Sequence, residues 1–355
     1  MALDDRKKKI MQAIVEDYIL TAEPVGSRSI SKKPDLNLSA ATIRNEMGDL
    51  EEMGLLLQPH TSAGRVPSTS GYRLYVDSLM EKYEMTAAEI SEIKQAAKQK
   101  TRELDKIVRD VASAFSALSG LPVIGMLPGT ETGVVKNIKV VKIDTDRAML
   151  IVSDKSGIIK NKLLNLHQEI SEEFADQLSE ILNQNLAGLT VSKINIANIM
   201  EVQSVIGKNF EILASVMELV HQAVMEIDSK QIFVEGLSNI LNFPEYENVG
   251  KVKELFEVME DKENLSKIMM EAIPSGQTKV LIGEEIPIEK LKHNSIVLAP
   301  YRMSDQLMGV LGVLGPARMD YSKVISALEF FTSQLSDSLR KDFGARQMLI
   351  GKGDE

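Results

Sequence analysis

The sequence predicts a multidomain α+β chain with a small helical head at its N-terminal end. Three observations carry that expectation. The 355 residues are enough for two or three domains. Helical apolar spacing dominates residues 6–53 and 86–118, whereas residues 135–166 fall into short β-rich runs parted by turns. Three short helical patterns, then the apolar run Leu55-Leu56-Leu57 and the stretch QPHTSAGRVPSTSGYR (58–73), outline a winged helix-turn-helix.

Residues 6–21 read as the first helix, with Ile10, Ile14 and Tyr18 in one stripe and Met11, Val15 and Ile19 beside it. AEPVG (22–26) breaks it, a short helix over about 26–33 turns Ile30 inward, and KPDLNL (33–38) is a turn. Ser39 is the expected N-cap of the next helix, SAATIRNEMGDLEEMG, which Gly54 ends. Ile43, Met47 and Leu50 share its buried face, leaving Ala41, Thr42, Arg44, Asn45 and Gly48 outward. Arginine can bond guanine bidentately and asparagine adenine. Ala40 and Ala41 are small enough for close approach, and the backbone N–H groups after Ser39 suit a phosphate. Periodicity alone equally allows Arg44 and Asn45 to be ordinary solvent-facing residues.

Charge placement adds to this picture. The chain holds 51 acidic and 41 basic residues, a net charge of −10. Residues 1–75 are balanced, with ten of each sign, so the whole excess lies beyond them. Yet residues 53–76 contain no carboxylate, only Arg65 and Arg73 with His60 nearby. A hairpin tip lying against DNA should lack carboxylates, because each would repel phosphate. Thr61 and Ser62 hydroxyls could bond phosphates there, and Arg65 could enter a narrow groove. A surface loop that happens to lack acids is the plainer alternative.

Other classes find little support. With no Cys there are no disulfides, thiolate catalysis or Cys-based zinc sites, and the four His show no ligand spacing, so no metal and no cofactor are expected. SISK (29–32) matches S-x-x-K but has no K-T-G or S-D-N partner, and GVLGVLG (309–315) lacks the spacing of a phosphate loop. The uncharged run 111–130 contains Pro122 and Pro128 and reads as a helix end followed by a buried strand, not a membrane span. The N-terminus leads into no apolar signal region, so a cytoplasmic protein without membrane association is expected.

The segment SAATIRNEMGDLEEMGLLLQPHTSAGRVPSTSGYRLYVD (39–77) resembles the HrcA family of bacterial heat-inducible transcription repressors. PVGSRSIS (24–31), FVEGLSNILNFPEY (233–246) and GVLGVLGPARMDYSKV (309–324) are similar to the same family. The chain departs from it at Thr69-Ser70, where members more often carry Asp-Lys.

The resemblance implies three parts, laid on this chain as follows: a winged-helix DNA-binding domain over 1–83 with a helical linker over 84–120, a GAF-like domain over 121–194 and 276–343, and an inserted, mainly helical dimerisation domain over 195–275. Residues 344–355 would be a flexible tail. It implies DNA contacts from Ser39, Ala40, Ala41, Thr42, Arg44 and Asn45, and from His60, Thr61, Ser62, Arg65 and Arg73. It further implies a non-enzymatic homodimer that binds an inverted-repeat, CIRCE-type operator before chaperone operons, and a regulatory partner in the chaperonin GroEL. The alternative function is a winged-helix protein-contact module coupled to a GAF-like small-molecule sensor.

Overall fold

The computed structural model describes residues 3–34, 36–60, 63–97, 104–127, 134–155, 158–165, 169–190, 194, 210–228, 231–303 and 307–350. It is mixed α and β, and its contacts divide it into two compact units. The first comprises Met1–Gly125, Ile232–Tyr301 and Val310–Ser338; the second comprises Met126–Gln231, Arg302–Gly309 and Leu339–Glu355.

The first unit opens with α1 (Asp5–Thr21), α2 (Ser27–Ile30) and α3 (Ala40–Glu52). Asp4 caps α1 by accepting from the Lys7 N–H at 2.7 Å, and Ala22 ends it in the left-handed region at φ 55. Ile10, Met11, Ile14 and Val15 bury its inner face against Ile30, Ile43, Met47 and Leu50 of the next two helices. Gly54, at φ 73, turns the chain out of α3. The antiparallel pair β1 (Leu56–Leu57) and β2 (Val66–Pro67) follows, with Leu56 opposite Pro67. Next come α4 (Thr69–Leu74) and a single π-helical turn, Tyr75–Leu79. Ser68 joins these pieces: its hydroxyl donates to the Gly54 carbonyl at 2.6 Å and accepts from the Gly71 N–H at 3.0 Å. A Cβ on Gly71 would overlap the Leu55 carbonyl and press on Met11. Gly71→Ala is therefore expected to cost roughly 1–3 kcal/mol in chemical denaturation, the usual penalty of overpacking. An unchanged midpoint would show that the α4 junction can relax.

The rest of this unit is built on a sheet of order β7-β3-β10-β9-β8: β3 (Val123–Met126), β7 (Ile232–Glu235), β8 (Lys279–Ile282), β9 (Asn294–Arg302) and β10 (Met308–Pro316). The apolar runs of β3 and β10 are buried along their length, as expected for interior strands. Helices α5 (Ala87–Ala97) and α6 (Leu104–Ser119) precede the sheet. The Phe115 ring of α6 packs 4.7 Å from Phe331 of the last helix.

The second unit contains the antiparallel meander β4 (Val135–Lys142), β5 (Arg147–Asp154) and β6 (Ile159–Asn165), then α7 (Glu172–Leu186) and α8 (Phe210–Asp228). Ile138, Val140, Leu150, Val152 and Leu164 are buried on one face of the meander, with Leu178, Leu182, Val216 and Val220 from the helices. Ser179 and Asn183 of α7 accept the Val140 and Ile138 N–H groups of edge strand β4, each at 2.8 Å. The opposite face carries Val141 opposite Met149 and Met149 opposite Leu163, with Val141 42% and Leu163 48% exposed.

Two expectations about boundaries change. The meander and α7 fall in the second unit, which begins near residue 126, whereas the inserted domain was expected to begin at 195. Residues 232–275 belong with the first unit, because β7 lies beside β3 and the Phe233 ring occupies the space over Gly125. They include α9 (Val249–Glu260) and α10 (Lys262–Met270). The last helix, α11 (Tyr321–Ile350), runs well into the expected tail. No helix among the described residues is long and apolar enough to cross a membrane.

Candidate nucleic-acid interface

The outward face of α3 is positioned from below. Ile43, Met47 and Leu50 are between 0% and 4% exposed, which fixes the rotation of the helix about its axis. Ser39 caps it, accepting from the Thr42 N–H at 3.1 Å and lying 2.9 Å from the Thr42 hydroxyl. Ala41, Arg44 and Asn45 are exposed, and nothing lies within 4 Å of the space over Gly48. Among the described residues, Arg44 and Asn45 have no ion-pair or side-chain hydrogen-bond partner, so their donors are free for a ligand.

The same helix carries Glu46, Asp49, Glu51 and Glu52, which is awkward for a surface meant to meet phosphate. Three of these carboxylates are tied to cations. Lys7 lies 2.7 Å from Glu46 and 2.9 Å from Asp49, and Arg6 lies 3.3 Å from Glu46. Hydrogen bonds to Glu46 and then Asp49 raise the Lys7 ammonium above its ordinary pKa, so it stays charged. Glu51 accepts from Arg65 Nε and Nη2, both at 2.8 Å.

Arg65 sits at the base of the β1–β2 connection. Its backbone exchanges both hydrogen bonds with Val25, at 2.8 and 2.9 Å, and a Cβ on neighbouring Gly64 would overlap the Val25 carbonyl. The connection thus stands on α3 through a side chain and on the residues before α2 through the backbone. Further out, His60 is exposed, and its carbonyl accepts from the Ala63 N–H at 2.9 Å.

With this geometry in place, similarity to known proteins decides the family. Residues 105–325 match the family model described as the HrcA protein C terminal domain. A heat-inducible transcription repressor HrcA from Acetivibrio thermocellus is 41% identical over 99% of this chain and 99% of its own length. Another of the same name, from Lachnoclostridium phytofermentans, is 39% identical over 96% of this chain and 99% of its own. The chain belongs to the HrcA family. The HrcA relatives are named as transcription repressors, so the enzyme readings fall away. A crystal structure described as that of a hypothetical protein shares the fold, with TM-score 0.71 and 21% identity over 96% of this chain and 100% of that one.

Within this HrcA-family chain the expected contact residues divide. Ser39, Ala40, Ala41, Thr42, Arg44 and Asn45 lie together on the cap and first turns of α3, as expected. Thr61 and Ser62 lie outside the described residues. Arg65 is half-buried and bound to Glu51, not a bare cation at a hairpin tip. Arg73 needs a larger correction. Its guanidinium bonds Glu285 (2.9 Å from Nε), Asp77 (3.3 Å) and the Val280 carbonyl (2.7 Å). Burial would raise the Glu285 pKa, but the Arg73 and Ile282 donors lower it on balance. Arg73 thus joins α4 to the five-stranded sheet, and most of its donors are engaged there. Sequence reasoning passed over Arg28 and Lys32, exposed cations on and just after α2 that have no ion-pair partner among the described residues. The signal was available: both flank Ile30, whose inward position sends its neighbours outward.

Proposed function

We propose that this HrcA-family chain is a repressor of heat-shock chaperone operons that reads an inverted-repeat operator as a dimer. Residues 3–83 act as a winged helix-turn-helix, with α3 in the major groove and the β1–β2 connection as the wing. The observation that carries this reading is the outward face of α3: Arg44 and Asn45 exposed and, among the described residues, unpartnered, on a helix whose carboxylates are largely neutralised. Arg28 and Lys32 add phosphate contacts beside it. The five-stranded sheet and its helices serve as the GAF-like body, and the second unit joins two copies. The protein works in the cytoplasm, and the chaperonin GroEL is its regulatory partner.

Arg65 acts in this scheme by neutralising Glu51 and propping the wing. Arg65→Ala should weaken binding to every sequence by up to about tenfold, and adding Glu51→Gln should restore most of the loss. Failure of the second change to restore binding would mean that Arg65 touches phosphate itself. The reading as a whole is tested by mobility shifts on an inverted-repeat duplex and a scrambled one at roughly 50 and 200 mM salt. The operator should be preferred at both, with affinity falling steeply at the higher. Equal affinity for the two duplexes, or a complex indifferent to salt, overturns it.

A further inference from the structure

The head formed by residues 3–83 and the body built on the five-stranded sheet belong to the same unit, and polar contacts join them at separate elements. Arg73 of α4 bonds Glu285 and the Val280 carbonyl of β8. The Ser322 hydroxyl, in the first turn of α11, donates to the Glu81 carbonyl. Arg318, between β10 and α11, donates from Nη1 to the Ile19 carbonyl of α1 at 3.1 Å. Beside them the Tyr72 ring of α4 packs 5.9 Å from Tyr321. Domains joined only by a linker move against one another by default. Attachment at α1, at α4 and after the π-helical turn resists that motion.

The Arg318 contact bears most directly on α3, because α1 is the helix that packs beneath it. The last carbonyls of a helix lack partners within it, and a cation there is favoured by the dipole. The last turn of α1 has no basic residue of its own, and Arg318 supplies one from 299 residues away.

The other end of the contact is anchored. Arg318 Nε and Nη2 bond the two Glu245 oxygens at 2.5 and 3.1 Å, a planar fork that lysine cannot form. The Arg318 side chain is only 13% exposed. Glu245 sits in the single 3-10 turn Pro244–Tyr246, and the hydroxyl of buried Tyr246 accepts from Asn294 at the start of β9. A chain of contacts thus runs from β9 through Tyr246, Glu245 and Arg318 to the end of α1.

We propose that Arg318 is a positioning residue for operator reading. By holding α1 to Glu245 it fixes the angle at which α3 is presented by the body. With two heads joined, that angle sets which spacing of half-sites can be read, so the proposal rests on the two-headed repressor reading. One added base pair turns a half-site by about 35° and moves it by about 3.4 Å. A head held rigidly rejects that change. A loosened head can follow it, but must be ordered on binding and loses the advantage of preorganisation.

The test is titration of the full-length protein with fluorescent inverted-repeat operators whose spacer is unchanged, one base pair longer or one shorter. A duplex with a single half-site is titrated beside them at about 50 mM salt. Wild type should bind the unchanged operator about tenfold tighter than either neighbour. Arg318→Ala should weaken the unchanged operator about tenfold and the neighbours hardly at all, bringing the three within about twofold. Its single half-site affinity should equal that of wild type, which shows that the head is folded. Arg73→Ala, at a separate tie, should flatten the profile in the same way. Lys290→Ala removes a 2.6 Å ion pair with Glu257 that lies wholly within the body, and should leave the profile sharp. A sharp profile in Arg318→Ala, or a parallel loss on every duplex including the single half-site, would overturn this proposal alone. Indifference to spacing in the wild type would overturn the two-headed reading and this proposal with it.

Discussion

Leu163→Asp is expected to lower operator affinity by about 10²–10⁴ while leaving each protomer folded, because it removes the avidity of a second DNA contact. The argument begins with charge. Residues 1–75 carry equal numbers of acidic and basic residues, so one DNA-reading head has no large electrostatic attraction to draw on. Tight binding then requires two heads joined, so that the second contact becomes intramolecular. The surface suited to join them is the open face of the meander, where Val141, Met149 and Leu163 lie in one cross-strand row and Ile143 is 50% exposed. An aspartate there meets water in a monomer but would be buried unpaired between two copies. Sedimentation should show wild-type dimers and variant monomers, and circular dichroism should be unchanged. Moving one operator half-site by roughly 5 bp should weaken wild-type binding to a similar degree, because the two heads then face opposite sides of the duplex. A dimeric Leu163→Asp, or a monomer that still binds tightly, would remove this face from the mechanism.

Arg44→Ala and Asn45→Ala should each cost roughly 1–3 kcal/mol of specific binding and relax preference at single base positions. Neither side chain is on the buried stripe of Ile43, Met47 and Leu50, and neither has a partner among the described residues to lose, so thermal stability should move little. Competition binding against a panel of singly substituted operators reads both effects at once. The informative signature is selectivity. Loss confined to one or two base positions assigns a direct contact, whereas uniform loss across the panel would place the residue on phosphate. Wild-type affinity in both folded variants would remove α3 from the interface.

Much of this was legible in the sequence, because periodicity and capping are local. Ser39 with Ile43, Met47 and Leu50 marks both the start and the inner face of α3. Ser171 with the apolar spacing of Leu178, Leu182 and Leu186 does the same for α7. Partners distant in the chain were not legible. Arg73 and Glu285 are 212 residues apart, and no local pattern announces their pairing. Arg65 and Glu51 are closer, yet a cation in an acid-free stretch reads as free unless the fold brings α3 beneath it. The unit boundary was missed for a related reason. Alternating β4–β6 and continuous β3 and β10 all read as strands, and alternation reports which face is wet, not which sheet a strand joins.

The side chains of Ser179 and Asn183 have a consequence for a protein whose relatives are named for their response to heat. An exposed strand edge is a template on which another extended chain can add, and heated cells are rich in such chains. On β4 the Ile138 and Val140 amides are already taken, and Asn183 also donates to the Ile138 carbonyl at 2.6 Å, as a neighbouring strand would. The hydroxyl and the amide thereby stand in for a missing strand. They close that edge to misfolded polypeptide at the temperatures where the supply of it is greatest.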